Sequence, residues 1–272
     1  MTSTDPSSHL DDLDQQRFDE SRASIGDHLA ELASCIKITL IPFFPLCVLF
    51  FIFHDQVYHV LSDPLYQSLE RLGLPSVVKF RTVQGAFLFH FKTAFLMAFI
   101  FSVPVMFWQG WRFIAPGLTT QEQRFMIPFV IGTSTCFIGG VLFCYYWVVP
   151  FAFDFFLGYS VQEGAHQLHA DITIEDYLST FTKLIFAFGF IFETPIFLSF
   201  LSWFQLITHH TLIRYWRPAT VGAFIIAAFL TPPDYVTQTL LALPLMSFYG
   251  ISIVSSYYIT KYHERKNQVE SV

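Results

Sequence analysis

The chain has 272 residues, of which 53% are hydrophobic and 13% charged, and its mean hydropathy is +0.49. A soluble domain carries about 25% charged residues, so this composition favours a membrane protein with several spans over a soluble one. The net charge of -6 argues against a nucleic-acid partner, since no strongly basic surface is available.

Six apolar stretches, each near the ~20 residues that a spanning helix needs, predict an all-α integral membrane protein. In chain order they cover roughly 36–53, 86–109, 126–150, 180–203, 218–231 and 239–257. We expect the last two to be shorter than the others and to form a tight hairpin, because Pro232 and Pro233 cannot continue a helix. Asp234 is placed either to cap the next helix or to serve the function directly, and both interpretations stay open.

Six spans place both termini on one side of the membrane, and the positive-inside rule predicts that this side is cytoplasmic. We divide the chain into an acidic cytoplasmic tail (1–23), a six-span membrane domain (24–260) and a cytoplasmic C-terminal tail (261–272). The segments 54–85 and 151–179 are predicted to be the long loops on the opposite side.

Glu193 is the one carboxylate within the fourth apolar run. A charged acid at the bilayer centre costs about 2.5–3.5 kcal/mol, so such residues usually mark a pathway or an interface. The alternative is an acid that is protonated or satisfied by a neighbouring helix. Lys183 lies about 15 Å away along the same helix, too far to pair with Glu193. Lys92 is expected to snorkel to the surface near the outer end of the second span.

Two more acids, Glu31 and Glu122, flank the predicted spans on the cytoplasmic side. Each alone is typical of a solvated surface acid. Together on one face they would suit a ligand with two arginines, because a guanidinium matches a carboxylate with two parallel hydrogen bonds and an ammonium does not.

Five motifs occur in order along the chain: HLAEL (28–32), SDPL (62–65), WRFIAPGLTTQEQR (111–124), FGFIFETP (188–195) and LTPPDYVTQTLLALPL (230–245). In these motifs the chain resembles the TatC family, the core subunits of twin-arginine protein translocases. The resemblance implies a concave, glove-like bundle of six helices that binds the twin-arginine signal peptides of folded cargo at the cytoplasmic face. It further implies that the protein works with the single-span subunits TatA and TatB, draws on the proton motive force and forms homo-oligomers within the complex.

The resemblance also assigns residues. It implies signal-peptide binding by His28, Glu31, Phe113 and Glu122, with any cargo contact of Phe113 indirect. It implies an intramembrane polar site, where partner helices dock, at Glu193, Thr231 and Gln238. Structural or supporting roles fall to Pro64, Pro104, Pro232, Pro233 and Asp234. A bacterial inner membrane is favoured over a thylakoid membrane, because no transit peptide precedes the acidic tail.

Two other functional classes stay open. One is a proton-coupled small-solute carrier with Glu193 as the proton relay, and the other is a structural membrane scaffold. A carrier would often show internal repeats or broken helices, and neither is visible in the sequence. No phosphate-binding loop, HExxH or GxSxG motif is present, so we expect no cofactor, no metal site and no enzymatic activity.

Overall fold

The computed structural model describes residues 6–114, 126–162, 173–230 and 235–270. Within these ranges the chain forms ten α-helices and one π-helical turn at Cys144–Val148. The α-helices are α1 (Pro6–Ile52), α2 (His54–Arg71), α3 (Gly85–Ile114), α4 (Met126–Phe143), α5 (Val149–Gln162), α6 (Ile174–Phe192), α7 (Thr194–Trp203), α8 (His209–Arg214), α9 (Trp216–Leu230) and α10 (Tyr235–Glu270). The prediction of an all-α protein is confirmed.

In the described part of the chain, five helical stretches are long and apolar enough to cross a membrane. They are His28–Ile52, Gly85–Ile114, Met126–Gly158, Ile174–Trp203 and Gln238–His263. The predicted fifth span corresponds to α9, which is apolar but has only 15 residues. The prediction that the last span is also short is wrong, because it has 26 residues. No helix-breaking residue follows the predicted end at 257, so the helix continues.

The described parts of the predicted loops at 54–85 and 151–179 are largely helical, which corrects that prediction. α2 occupies much of the first segment, and α5 continues into the second. α2 forms because apolar residues recur every fourth position, and this spacing places them on one face of a helix. All four are buried in the core: Val57, Leu61, Leu65 and Leu69.

The spanning helices pack in an open row. α1 packs mainly against α3, α3 and α6 both contact α4, and α7 packs against α10, which in turn contacts α9. α1 therefore lies at one edge of the bundle, and α9 packs against α10 and also contacts α6. α2 packs on α5 and α3, at the end of the bundle where α3 begins and α5 finishes.

Two tyrosine hydroxyls attach α2 to the spanning helices. Pro64 has no N–H, so the carbonyl of Val60, four residues earlier, has no helical donor. The hydroxyl of Tyr145 donates to that carbonyl at 2.7 Å. The buried hydroxyl of Tyr177 donates to the carbonyl of Leu61 at 2.6 Å. Both apolar burial and hydrogen bonds thus fix α2 in place.

Candidate functional site

Three of the four residues that the resemblance assigns to signal-peptide binding lie together. The rings of His28 and Phe113 stack with centroids 4.2 Å apart and planes 24° apart. His28 Nδ1 lies 4.0 Å from Glu31 Oε2, one turn further along α1. The Glu31 side chain is 38% exposed and that of His28 is 58% exposed. We call these residues the His28–Glu31–Phe113 cluster, and its carboxylate is accessible to a cationic ligand.

Trp111 fixes the end of α3 that carries Phe113. Trp111 is 2% exposed, and its ring lies 4.7 Å from that of Phe129 on α4 and 5.1 Å from that of Phe200 on α7. Residues two apart on a helix do not share a face, so burial of Trp111 turns Phe113 towards a different neighbour, α1. Trp111 was not predicted to be a site residue, although a tryptophan at the end of an apolar run is typical of an interfacial anchor.

Five predicted site residues lie outside the described residues. They are Glu122, Thr231, Pro232, Pro233 and Asp234. Their assigned roles therefore stay predictions, including the pairing of Glu122 with Glu31 and the choice between capping and function at Asp234.

The predicted fourth span is two helices rather than one. α6 ends at Phe192 and α7 begins at Thr194, with Glu193 as the residue between them. Pro195 explains the interruption, because it has no N–H to donate to the carbonyl of Ile191 and its ring crowds that carbonyl. No broken helix was visible in the sequence, so the interruption is a finding of the structure, within a span of 30 residues from Ile174 to Trp203. The carboxylate lies at the junction of the two helical segments.

The Glu193 carboxylate is half-buried against α4. It lies beside Cys136 and the backbone of Phe137. Its Oε1 atom is buried and has no hydrogen-bond partner among the described residues. A buried polar atom without a partner is costly. This position therefore offers an open acceptor for a proton, a water molecule or a donor from another chain.

Two glycines bring α4 and α6 together just before the break. A Cβ atom at Gly140 would lie 2.6 Å from the carbonyl oxygen of Phe188 and 2.9 Å from the side chain of Phe192. A Cβ atom at Gly189 would lie 2.6 Å from the ring of Phe137. Small residues at such crossings let helices in a membrane approach closely. The close contact positions α6, and with it the junction that follows.

Gln238 lies at a different depth from Glu193. Its Nε2 donates to the carbonyl of Phe224 at 3.0 Å, which ties α10 to α9. The ring of Phe192, next to Glu193, lies 4.2 Å from that of Phe248 on α10. Phe248 is ten residues beyond Gln238, which is about 15 Å along the helix axis. The described residues thus do not bring the two side chains into one cluster, and the role of Gln238 in docking a partner helix stays a prediction.

Two serine pairs, which were not predicted from the sequence, connect α7 to α10. Ser199 Oγ lies 2.6 Å from Ser255 Oγ, and Ser202 Oγ donates to Ser256 Oγ at 2.7 Å. Hydroxyl groups of this kind hold helices together in lipid. The sequence does indicate that Ser199 and Ser202 lie on one face of a helix, because they are three residues apart. After the break the chain is therefore attached to α10, whereas before it the chain is attached to α4.

The two described prolines with predicted structural roles both lie within helices. Pro64 is buried in α2, and Pro104 lies in the second half of α3. Pro104 leaves the carbonyl of Ile100 without its helical donor. Both Pro104 and Ile100 line a cavity of about 460 Å³ beneath α2.

Comparison with known proteins decides the family. The family model described as Sec-independent protein translocase protein (TatC) matches residues 27–244. The chain belongs to the TatC family. A TatC protein of Campylobacter jejuni is 38% identical over 227 residues, which are 84% of this chain and 91% of that protein. The TatC of Escherichia coli K12 is 34% identical over 244 residues, which are 88% of this chain and 90% of that protein.

A solved structure agrees with this assignment. The crystal structure described as the twin arginine translocase receptor TatC matches with a TM-score of 0.72 at 34% identity, covering 86% of this chain and 99% of that one. The fold is therefore the TatC fold, and the resemblance seen in the five motifs is confirmed. As a TatC protein, the chain is a membrane component of a Sec-independent protein translocase.

Proposed function

We propose that this TatC protein is the receptor for twin-arginine signal peptides and the assembly core of its translocase in a bacterial inner membrane. The observation that supports this most is the His28–Glu31–Phe113 cluster, where an accessible carboxylate lies beside two stacked rings. The solved relative is itself described as a receptor.

The cluster suits arginine in particular. A guanidinium offers the Glu31 carboxylate two parallel N–H donors, and its flat face stacks on aromatic rings such as Phe113. Lysine offers a point charge without this planar match. We assign the second arginine of the signal peptide to Glu122. The twin-arginine pair would then bridge α1 and the segment that follows α3.

The rest of the receptor acts within the membrane. Glu193 supplies the open acceptor at the α6–α7 junction where an inserted signal peptide or the helix of a TatA or TatB subunit docks, with Gln238 and Thr231 as a second docking point. The positive-inside rule places both termini and the cluster on the cytoplasmic side. Transport draws on the proton motive force, and several copies of the chain assemble in one complex.

Photo-crosslinking of a twin-arginine signal peptide to inner-membrane vesicles tests the receptor assignment. Glu31→Gln keeps the shape of the side chain and removes its charge. We expect labelling to fall about tenfold, the loss that corresponds to one charged hydrogen bond of about 1.5 kcal/mol. Glu122→Gln should have a similar effect.

Glu70→Gln is the matched control, because Glu70 is an exposed acid on α2 at the other end of the bundle. It should leave labelling unchanged. A peptide with two lysines should label weakly with every variant. Labelling that persists at the wild-type level in both Glu31→Gln and Glu122→Gln would refute the assignment.

The broken helix at Glu193 is the one observation that favours a proton-coupled small-solute carrier. The missing N–H of Pro195 gives the break a structural cause that requires no carrier function, and membership of the TatC family favours the receptor. Proteoliposomes that contain only this chain separate the two functions. A carrier would take up protons with its solute and lose that activity in Glu193→Gln. We expect no such flux.

A further inference from the structure

A groove of about 600 Å³ separates α3 from α6 near the end of the bundle where both helices begin. Lys92 of α3 and Lys183 of α6 both line it, together with the rings of Phe91, Phe95 and Phe186. The groove contains neither the His28–Glu31–Phe113 cluster nor Glu193. What it binds is therefore a separate question from the proposed function.

The two lysines have no counter-ion within the described residues. Both side chains are exposed. The carboxylate that lines the groove, Glu175, accepts hydrogen bonds of 3.0 and 3.2 Å from the backbone N–H of Arg81. The guanidinium of Arg81 in turn binds Asp176 at 2.5 Å. The nearby acids are thus engaged with Arg81, and the positive charge of the lysines remains available to an anion.

The ammonium groups of the two lysines can reach the headgroup layer of a bilayer. Lys92 lies seven residues after Gly85, and Lys183 lies nine residues after Ile174, which is about 10 Å and 14 Å along the two helices. α3 has 30 residues and is about 45 Å long, so its ends extend beyond a hydrocarbon core of about 30 Å. Side chains on a helix lean towards its N-terminus, and lysines snorkel. Both ammonium groups therefore reach back towards the phosphates.

The apolar part of the groove favours a ligand with a hydrocarbon chain. Phe91 is 56% exposed and Phe95 is 47% exposed, one turn apart on α3 and beside Lys92. An inorganic phosphate would satisfy the lysines and leave these rings uncovered. A lipid with an anionic headgroup satisfies both at once.

We propose that this groove binds an anionic phospholipid, with its phosphate between Lys92 and Lys183 and an acyl chain along Phe91 and Phe95. The protein would thereby select anionic lipid at the side of the membrane opposite the His28–Glu31–Phe113 cluster.

Lipid retention by the full-length protein tests the proposal. The chain is reconstituted in nanodiscs with equal amounts of phosphatidylglycerol and phosphatidylcholine, released into mild detergent and analysed by native mass spectrometry. We expect the wild type to retain phosphatidylglycerol preferentially. The double variant Lys92→Gln/Lys183→Gln should lose about 30-fold of this preference, which corresponds to about 1 kcal/mol per lysine.

Three controls make the result specific. Lys92→Arg/Lys183→Arg keeps the charge and should keep the preference. Lys37→Gln/Lys261→Gln removes two exposed lysines outside the groove and should change nothing. In each single variant, Lys92→Gln or Lys183→Gln, the preference for phosphatidylglycerol should fall about fivefold. The single variants provide the same test if the double variant does not fold.

Three outcomes would overturn the proposal. The first is equal retention of phosphatidylglycerol by the wild type and the Lys→Gln variants. The second is an equal loss in the surface-lysine control, which would indicate a general charge effect. The third is complete displacement of the lipid by millimolar inorganic phosphate, because binding would then depend on the phosphate group alone and not on the acyl chain.

Discussion

At the scale of single residues, Val60 and Tyr145 form a matched pair. The carbonyl of Val60 loses its helical donor because Pro64 has no N–H, and the Tyr145 hydroxyl takes the place of that donor at 2.7 Å. The supporting role predicted for Pro64 thereby acquires a specific interpretation. The proline frees an acceptor that lets α2 bind to the spanning helices.

We predict that Tyr145→Phe lowers the free energy of unfolding by about 1–2 kcal/mol, because the carbonyl is left without a donor. In the variant Pro64→Ala the alanine N–H restores the helical bond, so Tyr145→Phe should have a smaller effect in that background. Unfolding of the purified protein in detergent, followed by circular dichroism, measures both effects.

Tyr146→Phe is the matched control, since Tyr146 is 63% exposed and its hydroxyl makes no hydrogen bond within the described residues. It should unfold like the wild type. Equal losses in the two tyrosine variants, or an unchanged effect of Tyr145→Phe beside Pro64→Ala, would contradict the pairing.

At the scale of elements, the fourth span is attached in two places by two different means. α6 is held to α4 by the glycine crossing at Gly140 and Gly189, whereas α7 is held to α10 by serine hydroxyls. The junction at Glu193 lies between these attachments. A segment fixed on both sides keeps its acid at a defined position even though its own helical hydrogen bonds are interrupted there.

Gly140→Ala should destabilise the protein by about 1–3 kcal/mol, because the added methyl group would overlap the backbone of α6 and overpack the crossing. Gly139→Ala is the matched control on the adjacent residue, where a Cβ atom meets nothing within 4 Å. It should be neutral or stabilising by up to about 1 kcal/mol, the difference in helix propensity. Thermal unfolding of both variants in detergent checks this prediction. Equal stability of the two variants would show that α4 and α6 can move apart at the crossing without loss of stability.

At the scale of the whole molecule, one of the helices in the bundle is too short to cross a membrane. α9 has 15 residues and is about 22 Å long, less than the hydrocarbon core of about 30 Å. The last span has 26 residues and is long enough to cross the hydrocarbon core. Of the two helices in the predicted hairpin, only α9 is therefore shorter than the core. We hypothesise that the lipid beside α9 is thinned, and that thinning lowers the barrier to passage of folded cargo.

Insertion of one apolar turn into α9 should therefore reduce export of a twin-arginine substrate severalfold, while binding of the proposed partners TatA and TatB persists. Export is measured by the appearance of mature cargo in the periplasm, and partner binding by co-purification. The control is Val221→Leu/Ile225→Leu, which changes two exposed apolar residues of α9 without changing its length. Unchanged export from the lengthened helix, with partners bound, would remove the hypothesis.

Much of the fold and family was accessible from the sequence because it depends on local composition. Apolar runs of sufficient length indicate spans wherever they occur. The motifs around Glu31 and Glu193 indicate the TatC family through residue order and spacing alone. The break at Glu193 was also accessible in principle, since Pro195 lies within the run, but the length of the run outweighed that signal.

The sequence by itself thus determined the class of protein, its family and the acids worth testing. Only the tertiary structure decided that α2 is a helix on the core, that Phe113 stacks on His28, that Gln238 lies far along α10 from Glu193, and that Lys92 and Lys183 share one groove. The physical reason is that each of these depends on how helices from distant parts of the chain pack against one another. Helical periodicity gives the face on which a residue lies, and only packing determines which neighbour that face meets.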